Sequence, residues 1–183
     1  MQVILRDKNI GVFEAPAVGK PGSWKYEDLV NLECLYASHN LIKDIYGICQ
    51  LTTIRELNLS FNLIVDISPI DQLDLLEKLF LNRNKIQIID PIKKLTSLQS
   101  VGFFHNDIFN AESALETLVH LGTKYRLREI SIDGNPISST TRFRNQLIMN
   151  IPKLEMLDED KIQPLDKEVA KQYYEMHNIP LPL

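Results

Sequence analysis

Few side chains of this chain have types and spacing that could do chemistry. The histidines are His39, His105, His120 and His177. His39 and His105 hold the same position in two repeated units that lie three units apart. With strands about 4.8 Å apart they stand roughly 14 Å from each other, too far to share a metal. His120 falls on a predicted helix and His177 in the tail. Cys34 and Cys49 occupy different positions of their unit, so no disulfide is expected between them. There is no CxxC, HExxH, GxSxG or glycine-rich phosphate loop. Glu33, Glu56 and Asp133 lie on separate units and read as solvated strand carboxylates. No catalytic residue, metal-ligand set, cofactor or small-molecule substrate is expected. What remains is recognition chemistry. Tyr36, Phe61, Phe80 and Phe104 recur on one predicted face, flanked by Arg83, His39 and His105. Exposed rings beside an arginine have the composition of a protein-binding hot spot. The same rings could stack on RNA bases with Lys78 and Arg83 near phosphates. Against that stand a net charge of −4 and the acidic residues of the same face, so a direct nucleic-acid ligand is not expected.

A repeated frame must position these side chains. Asn40, Asn62, Asn84 and Asn106 stand 22 residues apart, and Asn135 follows after 29. Each closes the same apolar pattern, such as Leu32-x-x-Leu35-x-Ala37-x-x-Asn40-x-Ile42 and Leu76-x-x-Leu79-x-Leu81-x-x-Asn84-x-Ile86. Numbered from the first leucine, positions 4 and 6 alternate inward on a strand, and positions 3, 5, 7 and 8 face out. Positions 11, 14, 17 and 20 are apolar as well, as in Ile42, Ile45, Ile48 and Leu51. So short a unit leaves room only for turns and 3₁₀ pieces on the return side, where Pro69 and Pro91 are tolerated. A buried turn strands backbone groups, and a side-chain amide can serve both donors and acceptors. The five asparagines are therefore expected to form a structural ladder.

The frame covers most of the chain. Val3-Ile4-Leu5 predicts a degenerate first strand, with Ile10 and Phe13 in later core positions and Lys8 where the asparagine would stand. Residues 14–26 form a Pro- and Gly-rich insertion, predicted to fold over that edge with Trp24 buried, the alternative being that a second chain covers it. The long step to Asn135 predicts a helix capped by Asn110. Its expected face is Ala111, Leu115, Leu118 and Val119, with Gly122 as the stop. A last helix is expected from Asp166 as N-cap, with Val169, Tyr173 and Met176 on one face. The expected division is repeats over 1–138, a cap over 139–162 and a tail helix over 163–183. Met1-Gln-Val-Ile-Leu-Arg-Asp is no signal peptide, and no stretch is long enough to span a membrane. A cytoplasmic protein in a reducing compartment is expected, with the nucleus as the alternative.

The pattern LxxLxLxxNxI resembles the leucine-rich repeat. The resemblance implies an α/β solenoid with a curved parallel sheet on its concave face. Phe143-Arg144-x-x-Leu147-Ile148-x-x-Ile151-Pro152-x-Leu154-x-x-Leu157-Asp158 resembles the C-terminal cap of intracellular members. These include the phosphatase 1 regulatory repeat protein, the spliceosomal A-prime subunit and the outer-arm dynein light chain. Phe143 stands where that cap pattern has tyrosine. The resemblance implies a non-enzymatic adaptor that holds a protein on its concave face. A cytoskeletal or ciliary assembly is the first setting it suggests. A ribonucleoprotein subunit is the alternative, and a phosphatase regulatory subunit the third.

Overall fold

Six strands of three residues carry the repeat frame: β1 Gln2–Ile4, β2 Cys34–Tyr36, β3 Glu56–Asn58, β4 Lys78–Phe80, β5 Ser100–Gly102 and β6 Glu129–Ser131. The computed structural model describes residues 1–11, 31–139 and 141–182. Each strand is parallel to the next, and the register matches position for position, so Leu35, Leu57, Leu79, Val101 and Ile130 stack in one inward column. All five are buried. Positions 6, 11, 14, 17 and 20 line the same core, from Ala37 to Ile132 and from Ile42 to Leu95. This is the solenoid that the period predicts, since each unit buries its apolar face only against its neighbours.

The return side is made of 3₁₀ turns at Tyr46–Gln50, Ser68–Gln72 and Asp90–Lys94. Asp44 and Asp66 open the first two by accepting the N–H of Tyr46 and Ser68 at 2.7 and 2.8 Å. Asn110 stands at the same repeat position and opens a helix instead. This helix, α1 (Ala111–Lys124), has its Ser113 N–H donated to the Asn110 side chain at 3.1 Å. The buried face of α1 keeps Leu118 of the expected one, with Leu115 and Val119 partly buried against the core. Ala114, Thr117, Leu118 and Leu121 face the core, while Ala111 is exposed. Gly122 does not stop the helix, which runs on to Lys124. A Cβ on Gly122 would lie 2.4 Å from Ile151 Cγ2. The glycine is there for close packing, not for termination.

The cap adds strands as well as helices. After α2 (Thr141–Asn150), β7 (Met156–Leu157) continues the parallel sheet beside β6, and β8 (Asp160–Lys161) turns back antiparallel to close the edge. The eight strands lie in chain order. Leu154 and Leu157 thus repeat positions 1 and 4 of another unit. The final helix, α3 (Pro164–Met176), packs on α2 through Tyr174, whose hydroxyl accepts from Asn150 Nδ2 at 2.9 Å. Its cap corrects the expectation. Gln163 is the N-cap and Asp166 is the third helical residue of a capping box, with Pro164 at the first. The buried face is Ala170 and Tyr174, whereas Val169 and Met176 face outward. The predicted 14–26 insertion, with Trp24 and Phe13, lies outside the described residues. Among the described residues no helix is long and apolar enough to cross a membrane.

Candidate functional site

The asparagines set the edge of the concave face. Asn62 Oδ1 accepts the Ile42 N–H of the preceding unit at 3.0 Å. Its Nδ2 donates to the carbonyls of Leu59 in its own unit, at 2.9 Å, and Ala37 in the preceding one, at 3.0 Å. Asn84, Asn106 and Asn135 repeat this arrangement. The ladder therefore runs from side chain to backbone, each amide tying two units, and not from asparagine to asparagine. At the first unit, where Lys8 replaces asparagine, Asn40 alone serves both coils. Its oxygen accepts from Lys8 N and Ile10 N, and its nitrogen donates to Leu5 O. At the other end Asp158 Oδ1 takes the N–H of Ile132 and Asp133 at 2.7 and 2.8 Å.

To turn toward the asparagine, position 8 adopts a left-handed backbone in every unit. Asp7, His39, Phe61, Arg83, His105 and Gly134 have φ of 55°, 57°, 58°, 55°, 52° and 74°. Only Gly134 takes this conformation without a Cβ penalty. The others carry a cost of order 1 kcal/mol each. The turn fixes the direction of these side chains. It projects them in one column along the rim of the sheet, which the sequence reading did not foresee.

This column gathers four of the seven expected site residues, and Phe104, at position 7, joins them. His39 stacks on Phe61, with ring centroids 4.1 Å apart and planes at 13°. The Arg83 guanidinium lies 5.5 Å from the Phe61 centroid and 5.6 Å from that of Phe104. Phe104 meets His105 edge to face at 4.1 Å. The result is a pillar, His39–Phe61–Arg83–Phe104–His105, across four units. The guanidinium bridges two rings, an arrangement that cation–π attraction favours. Phe61 remains 43% exposed at its centre.

Tyr36 and Phe80 do not join the pillar, so the aromatic run expected across four units divides. The two are at position 5, and Asn58 separates them in the register. Tyr36 is engaged elsewhere, its hydroxyl donating to Glu56 Oε1 at 2.8 Å. Glu56 is thus a partner of a phenol and not merely solvated. That hydrogen bond, followed by burial and the Glu56 charge, pushes the Tyr36 hydroxyl up to about 12. His39 and His105 lie on units separated by two intervening strands, β3 and β4. Among the described residues no group of three or more His, Cys, Asp or Glu side chains could hold a metal ion. Cys34 and Cys49 are both free.

The structure adds residues that the sequence reading missed. Asn82 Oδ1 accepts the Phe104 N–H at 2.9 Å and so holds that ring's backbone. A cavity of about 160 Å³ opens beside it at Gly102, walled by Phe80, Met156 and Glu159. A smaller one of about 100 Å³ adjoins at Phe104 and Asp133. The Leu154-x-x-Leu157 spacing could have revealed these neighbours, because it places a further strand next to β6.

A model of leucine-rich repeats, in two copies, matches residues 30–72. No curated protein sequence matches the chain. Solved structures of 130 chains resemble it, so likeness to any one of them selects no function. A chain of the Drosophila melanogaster SNF/U2A' complex is 26% identical with a TM-score of 0.62. That match covers 75% of this chain and 79% of the other. An internalin of Listeria monocytogenes is 24% identical (TM-score 0.58), and a leucine-rich-repeat protein of Leptospira interrogans 23% (TM-score 0.57). These two matches cover 74% and 83% of this chain, which spans only 37% of each of those chains. The fold is the leucine-rich-repeat fold.

Proposed function

We propose that this leucine-rich-repeat chain is a non-enzymatic adaptor that grips a partner protein on its concave sheet. The observation that carries the reading is the exposed pillar of rings around Arg83. Four of its five side chains are held by a strained turn and the fifth, Phe104, packs between Arg83 and His105, on a face that the core does not need. Rigid aromatic and arginine side chains are what protein interfaces use as anchors. The resemblance of the cap to that of intracellular members supports a cytoplasmic cytoskeletal or ciliary setting for the adaptor. The test is affinity capture from the native source, followed by titration of the captured partner. Phe61→Ala and Phe104→Ala should each weaken binding by ~2 kcal/mol or more. Lys94→Ala, on the return side where Lys94 pairs with Asp71, should change little. Retained binding in both Phe variants would sink the reading.

A second reading is a ribonucleoprotein subunit, and the likeness to a chain of the SNF/U2A' complex favours it. It differs in its salt response. An RNA ligand would be lost steeply as salt rises, chiefly through Lys78 and Arg83. An aromatic protein interface would tolerate the same change.

A further inference from the structure

We infer that the groove beside Gly102 seats a basic side chain, an arginine or lysine carried by the partner protein. The inference rests on the concave-face reading and names the charge of the segment bound there. The two adjoining cavities, about 160 and 100 Å³, share Ser131 and Glu159. Three observations converge on a cation. Phe80 walls the larger cavity and Phe104 the smaller, and a ring face attracts a cation.

The carboxylates are the second observation. Glu129, Asp133 and Glu159 line the groove and make no side-chain hydrogen bond or ion pair among the described residues. Asp158 is already committed, to the Ile132 and Asp133 amides and to Arg144 at 3.7 Å. Among the described residues no basic side chain lines either cavity.

The third is Ser100, which lines the larger cavity and is 6% exposed, yet its hydroxyl has no hydrogen-bond partner among the described residues. Its oxygen is open to the cavity and can accept. A guanidinium or ammonium N–H entering the groove would supply the donor. Gly102 carries no side chain, and the Asn82 carboxamide lies over it, 2.7 Å from where a Cβ would stand, as one wall of the larger cavity. A phosphate would meet the same three carboxylates and be repelled.

The test is an NMR titration of the isotopically labelled full chain with acetyl-arginine methylamide. Its citrulline counterpart, similar in shape and uncharged, is the control. The Gly102, Ser131 and Glu159 amide signals should move saturably with the arginine compound. The response should be about tenfold weaker for citrulline and for the variant Glu129→Gln/Asp133→Asn/Glu159→Gln. Circular dichroism checks that this variant is folded, and Glu159→Gln alone should show a smaller loss in the same direction. Equal responses to the two compounds, an unchanged response in the triple variant, or no response at these amides would overturn the inference. So would oligouridylate moving the same signals. None of these outcomes touches the concave-face reading, which stands or falls on the Phe61→Ala and Phe104→Ala titration whatever charge the partner carries.

Discussion

At Asn62 one amide bonds to four backbone groups in two units. Removing it strands the buried Ile42 N–H and takes one of two amide donors from Leu59 C=O and Ala37 C=O, which keep Asn84 and Asn40. Asn62→Ala should cost about 1–3 kcal/mol, read as a lower midpoint of chemical unfolding. An unchanged midpoint would remove the ladder from the account. Tyr36 makes a second prediction. Its neutral hydroxyl donates to Glu56, and the phenolate would face that carboxylate, so the folded form holds the proton to about 12. A raised pKa stabilises the fold fully below the unfolded value near 10 and ceases to do so as pH rises through the folded value. A spectrophotometric difference titration against Tyr36→Phe should therefore show a midpoint near 12, and Glu56→Gln should bring it down toward 10. A wild-type midpoint near 10 would contradict the hydrogen bond. The aromatic types were legible in the chain, because each stands in an outward position of a known frame. Their grouping was not. It depends on the left-handed turn at position 8, where the chain places His, Phe and Arg in a conformation that composition would assign to glycine.

Elements follow from the repeat wherever the period holds. The strands, the 3₁₀ turns and Pro69 and Pro91 within them lie where a 22-residue unit requires. Prediction failed where the period breaks, because packing partners then come from outside the unit. α1 was oriented by its leucines, yet its buried face is set by the cap, and Gly122 marks the meeting point. Ordinary helix propensity would make Gly122→Ala stabilising by roughly 0.5–1 kcal/mol. Here the added methyl collides with Ile151, so Gly122→Ala should destabilise, by about 1–3 kcal/mol in a thermal melt. A gain in stability would show that α2 and its following turn can move away freely. α3 was misread for a similar reason. Its more apolar stripe, Leu165, Val169 and Met176, is the exposed one, and the small Ala170 with Tyr174 makes the contact with α2.

As a whole molecule, a solenoid has two ends that must be covered. β7 and β8 extend the sheet past the last asparagine, and α2 covers the end of the apolar core. Deleting residues 139–183 would expose Leu127, Ile130 and Ile132 together with the edge of β6, an aggregation route. The shortened chain should sediment as aggregates where the full chain stays dispersed. A monomeric, cooperatively folding product would show that the cap is dispensable. The concave surface between the ends holds the pillar and the Gly102 groove, and the account stands on that surface binding protein. Hydrogen exchange of the full chain with and without its captured partner tests this most directly. Binding should slow exchange at the amides of residues 58–61, 80–83 and 102–105. Exchange in the turns at 68–72 and 90–94, and along α3, should stay unchanged. Protection confined to those turns or to α3, with the concave strands unaffected, would contradict it.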